Sequence, residues 1–132
     1  MKFDFLSTYW PYYVEGLKIT VVFAIFAVIF GIILGVALAL MKVSKVLPLR
    51  GIAVSYINFI RGTPILVQIY IVYFGLSSFG INLADSTAGV AALAINSGAY
   101  VAEIVRAGIE AVDKGQIEAA RSLGLSHLST TR

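Results

Sequence analysis

Between Lys18 and Lys42 the chain reads "ITVVFAIFAVIFGIILGVALALM", 23 residues without a charge. As a helix rising 1.5 Å per residue, this stretch reaches roughly 34 Å, enough to cross a hydrocarbon core of about 30 Å. A chain of 132 residues is too short to wrap such a helix on every side with its own protein. Composition points the same way: hydrophobic residues make up 59% and charged residues 13% of the chain, about half the charged fraction of an ordinary soluble domain. The run starts late, is long, and follows a region carrying Asp4 and Glu15, which argues against a cleaved secretory signal. There is no cysteine, hence no redox evidence. The net charge of +3 lies in short clusters, which gives no support to nucleic-acid binding.

Two further apolar stretches follow. Residues 62–84, "GTPILVQIYIVYFGLSSFGINLA", are again 23 uncharged residues, and 86–102, "STAGVAALAINSGAYVA", are 17. The second belongs to a helix starting near Gly51 and turning at "GLSSFG". The pattern predicts an all-α membrane protein of one domain over 1–132, with transmembrane helices near 16–42, 51–77 and 86–112 and a short helix near 116–123. Lys42, Lys45 and Arg50 lie in the first loop, whereas the loop around 76–86 carries only Asp85, and Lys114, Arg121 and Arg132 follow the third span. The positive-inside rule then places the N-terminus outside and the first loop and C-terminal stretch in the cytosol. The aromatic run "FDFLSTYWPYY" suits an outer-leaflet anchor, with Trp10, Tyr12 and Tyr13 at headgroup depth.

The spans carry marks of packing against other helices. Gly31 and Gly35 form a GxxxG step, a slim face that permits close helix approach. Pro64 removes one backbone donor and crowds the carbonyl of Ile60, which predicts a kink in the second span. On a continuous helix Asn58, Arg61 and Gln68 fall within about 80° of one another. Asn96, Tyr100, Glu103, Arg106 and Glu110 make a similar stripe on the third span. Polar groups are costly in hydrocarbon and should face protein or water. Two readings stay open: the stripes line a solute path or gate, or they join helices while Arg61, Glu103, Arg106 and Glu110 sit near cytosolic headgroups. Glu103 and Arg106, spaced i,i+3, can pair.

After Gly115, a plausible stop for the third helix, "QIEAARSL" is helix-forming again, and Gly124 stands where a left-handed residue ends a helix. Glu118 near the N-terminal end complements the helix dipole, Arg121 lies i,i+3 from it, and Ala119 and Ala120 give a slim waist. Two turns are marginal in water alone, so such a helix calls for a partner or is an ordinary surface helix.

The segment "GQIEAARSLG" resembles the EAA loop of ATP-binding-cassette importer permeases, the coupling helix that docks on the nucleotide-hydrolysing subunit. "NFIRGTPILVQIYIVYFGL" and "SGAYVAEIVRAGIEAVDKGQIEAARSLGLS" are similar to the polar amino-acid branch of that family, serving His, Glu, Gln, Arg and opines. The likeness runs from "GLKIT" to Ser126, and RGTP, AYVAE and GQxEAAxxLG in this order make it specific. It implies the N-terminal part of a five-helix type I importer permease, multi-pass in a bacterial inner membrane. Gly115, Gln116, Glu118, Ala119, Ala120 and Gly124 are then expected to form the coupling contact within a loop over 115–126. The Arg61-Gly62-Thr63-Pro64 segment and Gln68 match one family pattern, and Gly98, Tyr100, Glu103 and Arg106 another. The candidates for the translocation path or gate are Asn58, Arg61, Thr63, Pro64, Gln68, Asn96, Tyr100, Glu103 and Arg106. The implied partners are an ABC ATPase subunit, a second permease subunit, an extracytoplasmic amino-acid-binding protein and the lipid bilayer. No cofactor is expected on this chain, because ATP is used by the partner.

The family pattern continues with an Ile-x-Leu-Pro element and further helices, so the expectation is a C-terminally truncated permease. A non-transporting small membrane protein that binds or regulates a transporter assembly is the alternative. A membrane enzyme is disfavoured: His127 is the sole histidine and no nucleophile–base–orienter set is evident.

Overall fold

A computed structural model describes residues 4–124. The order is α1 (Asp4–Val43), α2 (Leu47–Gly62), α3 (Ile65–Ser78), α4 (Asp85–Glu110) and α5 (Lys114–Ser122), with no strand among the described residues. Residues Ile71–Gly75 of α3 form a π-helical turn. Two of these helices, α1 and α4, are long and apolar enough to cross a membrane, and α2 with α3 makes a third candidate if the bent pair counts as one span.

At 40 residues, α1 is roughly 60 Å long, about twice a bilayer's hydrocarbon thickness. Its helix extends well before the predicted start at residue 16, through Pro11 and the aromatic segment, where Trp10 and Tyr12 are exposed. Along the crossing part Ile25, Phe26, Ile29, Phe30 and Ile33 all lie about half uncovered. Apolar side chains so placed fit lipid or another helix, not water.

The remaining face of α1 lies against α4 along much of its length. A Cβ placed on Gly35 would come within 2.6 Å of the Val101 Cβ and 2.9 Å of the Gly98 carbonyl oxygen. One on Gly31 would meet the Ser97 Cβ at 2.8 Å. The GxxxG step is therefore the seam itself: absent side chains let two backbones approach, and dispersion replaces the hydrophobic drive that lipid does not supply. Ala39, Ala92, Ala99 and Ala102 are also fully buried.

Where the sequence predicts one kinked span over 51–77, the structure has two helices meeting at 110°. Thr63 (φ −114°, ψ 141°) and Pro64 (φ −61°, ψ 138°) are both extended. A residue before proline is pushed out of the helical region by the ring, and two successive extended residues turn the axis sharply. α2 buries Ala53, Ile57 and Ile60, the first two in a small core with Leu38, Ala39 and Ala102. α3 ends in a Schellman turn: Gly80 takes φ +83° while Ile81 N–H donates to Leu76 O and Gly80 N–H to Ser77 O.

The third long helix stops at Glu110, not Gly115. Gly115 instead lies in the first turn of α5, its N–H donating to Asp113 Oδ1 at 2.6 Å. An aspartate at the N-cap satisfies a donor that the helix leaves free, which starts the new helix two residues before the predicted 116. Gly124 follows α5 at φ +81°. Residues 125 and 126 of the predicted loop, and His127, lie outside the described residues.

Candidate functional site

Three groups of polar residues are held in place by these helices. The first is an ion cluster. Glu103, on α4, has a side chain only 18% exposed and pairs with Lys42 from the end of α1. Its other oxygen accepts from Arg106 Nε at 3.1 Å and lies 3.9 Å from Arg61 Nη1 on α2. Arg106 also bridges to Glu110 one turn along. One carboxylate thus meets cations from three helices, with two pairs inside α4 favoured by i,i+3 and i,i+4 spacing. Such sharing lets charged groups lie below helix ends at tolerable cost. The Arg61 guanidinium also stands 5.4 Å from the Tyr100 ring centroid, a cation–π distance.

The second group repairs the bend. Pro64 has no N–H to give the Ile60 carbonyl, which instead accepts from Gln68 Nε2 at 2.7 Å and, at longer range, from the Thr63 N–H at 3.4 Å and Thr63 Oγ1 at 3.3 Å. Gln68 Nε2 also lies 3.0 Å from Thr63 O and 2.9 Å from Thr63 Oγ1. Asn96 on α4 donates to Gln68 Oε1 at 3.2 Å, which ties the bend to the long helix. Gln68 is buried, and its amide is committed on both ends. A polar group is tolerated in an apolar interior only when it is saturated in this way.

The third group is α5. Only Ala111, Val112 and Asp113 separate it from the end of α4, and Gln116, Glu118 and Ala119 are exposed. Ala120 and Ile117 are partly covered. Among the described residues α5 has no extensive packing against the membrane helices.

Residues 27–132 match the family of binding-protein-dependent transport system inner membrane components. The chain belongs to this family. It is a membrane protein, as its helices α1 and α4 require. It is 46% identical over 130 residues to the arginine transport system permease protein ArtQ of Bacillus subtilis, covering 96% of this chain and 59% of ArtQ. To the L-cystine transport system permease protein TcyB of the same organism it is 41% identical over 124 residues, covering 94% of this chain and 53% of TcyB. A crystal structure of an amino acid ABC transporter with histidines superposes with a TM-score of 0.91 at 52% identity, over 100% of this chain and 62% of that one. The chain therefore spans about three-fifths of the length of the relatives it matches.

Within this family member the predicted path residues divide. Arg61, Tyr100, Glu103 and Arg106 come together in the ion cluster; Thr63, Pro64, Gln68 and Asn96 come together at the bend. Asn58 is exposed and joins neither. The helix break separates Gln68 from Asn58 and Arg61, because a 100° projection cannot be carried across two extended residues; Asn58 and Arg61 keep their spacing on α2, but only Arg61 approaches Glu103. Two participants were not singled out from the sequence. Lys42 reads there only as a flanking charge, yet it is a direct partner of Glu103. Tyr56 donates its hydroxyl to the Ile95 carbonyl at 2.9 Å, a second tie between α2 and α4. Its place four residues before Ile60 in an apolar helix was the available signal, since a buried tyrosine hydroxyl needs an acceptor.

Proposed function

We propose that the chain works as the membrane subunit of an ATP-binding-cassette importer for polar amino acids. Its helices correspond to the N-terminal part of a five-helix type I permease fold, with the N-terminus outside and α5 in the cytosol. The observation that carries this reading is α5 itself: a capped helix bearing "GQIEAARSLG", standing off the end of α4 with its polar face uncovered. A helix that short holds its shape best against a partner, and its Ala119–Ala120 waist admits close approach of a groove on an ATPase subunit. Gly115, Gln116, Glu118 and Gly124 bound that contact. The names of the relatives, arginine and cystine systems among them, support an amino-acid solute.

In this reading hydrolysis belongs to the ATPase, and no cofactor resides on the chain. A second permease subunit and an extracytoplasmic amino-acid-binding protein complete the assembly in a bacterial inner membrane. The permease is a two-state element whose equilibrium both partners bias. Ala120→Glu places a charged, longer side chain in the docking waist. Capture of the ATPase by the purified chain should be lost, while the helical content of the membrane part stays as in the parent. Undiminished capture by Ala120→Glu refutes coupling through α5.

A further inference from the structure

We propose that Glu103 is the positioning residue through which movement of α5 reaches the bent arm formed by α2 and α3. The inference rests on the reading of α5 as the ATPase-coupling element.

Three observations lead to it. First, α1 and α4 act as one strut. A methyl group at Gly31 or Gly35 would run into Ser97, Val101 or the Gly98 carbonyl, and one at Gly98 into the Leu34 side chain, so the two helices move together. Second, the arm is attached differently. α2 buries only Ala53, Ile57 and Ile60, and among the described residues its side chains tie it to α4 through Tyr56 to the Ile95 carbonyl and Arg61 to Glu103. Gln68–Asn96 ties the start of α3 to α4 at mid-height. Third, Glu103 sits on the strut seven residues before its end, and α5 follows after three more. Of all the arm's polar ties, the one to Glu103 lies closest along α4 to α5.

The charges show how that tie behaves. Lys42 and Arg106 hydrogen-bond Glu103 from within the strut. Arg61 approaches only to 3.9 Å, keeps 44% of its side chain exposed and rests over Tyr100. Its interaction is Coulombic and tolerant of distance, so the arm can shift while still attracted to Glu103, which a short directional bond does not allow. Rotation of α4 driven from α5 carries the Glu103 carboxylate with it, and Arg61 follows with α2. Without the Glu103 charge, Lys42, Arg61 and Arg106 surround a neutral group while Glu110 stays on Arg106, and the arm is repelled rather than led.

The test uses the chain in neutral-lipid nanodiscs, with and without the ATPase subunit and a non-hydrolysable ATP analogue. Amide hydrogen exchange is followed separately over Leu47–Gly62, Ile65–Ser78 and Asp85–Glu110. In the parent, ATPase capture should change exchange in α2 by about fivefold or more, the lower end of usual coupling. Glu103→Gln should capture the ATPase as the parent does but confine the change to α4 and α5. Arg61→Met should do the same and Arg61→Lys should restore the α2 response. Lys42→Met should keep it, because the glycine seam already joins α1 to α4. A purely structural role for Glu103 predicts equal damage from Lys42→Met and no rescue by Arg61→Lys, and that pattern overturns the proposal. So does an unchanged α2 response in Glu103→Gln. Should Glu103→Gln fail to fold, the Arg61 pair decides alone. Absence of ATPase capture by the parent refutes the coupling reading itself, whereas capture without any α2 response refutes only the role of Glu103.

Discussion

Gln68 Nε2 lies 2.7 Å from the Ile60 carbonyl oxygen that Pro64 leaves without its helical partner. A side chain eight residues downstream thus does the work of a missing backbone N–H, and it can reach because the two intervening extended residues fold α3 back towards the end of α2. The bond and the bend each depend on the other.

Replacing Gln68 by Leu keeps the volume but removes both ends of the amide. The Thr63 carbonyl and the Asn96 amide then lose a partner, and the Ile60 carbonyl keeps only its longer bonds from Thr63, at a cost of about 1–3 kcal/mol. Thermal unfolding in detergent should show this loss. In a double-mutant cycle with Asn96→Ala, the Gln68–Asn96 coupling should be about 0.6 kcal/mol, the average for interhelical bonds in membranes. A Gln68→Leu protein as stable as the parent would remove Gln68 from the account of the bend.

Pro64→Ala returns an N–H at residue 64 and lifts the steric bar on Thr63. By itself it should leave the 110° bend in place, because Gln68 still holds Ile60 and Thr63. Pro64→Ala with Gln68→Leu should straighten it into one helix. Spin labels on Gly51 and Gly75, both with open or loosely contacted Cβ positions, would report a longer separation only in the double variant.

Gly35→Leu inserts a branched side chain where even a Cβ meets Val101 and the Gly98 carbonyl. Backbone on one side and a β-branched residue on the other cannot yield, so α1 and α4 must separate, at a cost of about 1–3 kcal/mol or more. Gly16→Leu, in open space, should cost little. Thermal unfolding of Gly35→Leu and Gly16→Leu in detergent checks the contrast, and equal stability of the two would overturn it.

Asp113→Ala removes the acceptor for the Gly115 N–H. Loss of an N-cap costs about 0.5–2 kcal/mol, which is large for a helix of nine residues. Exchange protection across Lys114–Ser122 should fall, and ATPase capture should weaken with it. Asp113→Asn keeps a capping acceptor and should behave nearly as the parent does.

The membrane class, the number of apolar stretches, the small-residue face of Gly31 and Gly35 and the EAA-like segment are all legible in the residue order. They rest on local quantities: hydropathy summed over a window, and spacing along one helix. The pairing of Glu103 with Arg106 is readable for the same reason, since three residues on a helix fix their proximity. What faces what across the bend is different. Pro64 announces a kink but not its angle, and once Thr63 and Pro64 are both extended, Gln68 leaves the face predicted for it with Asn58 and Arg61. Lys42 reaches Glu103 across 61 residues of sequence, and Tyr56 reaches Ile95 across 39. No periodicity in the sequence encodes such separations. They are decided by how closely two glycine-lined backbones can approach and by the direction in which one proline turns the chain.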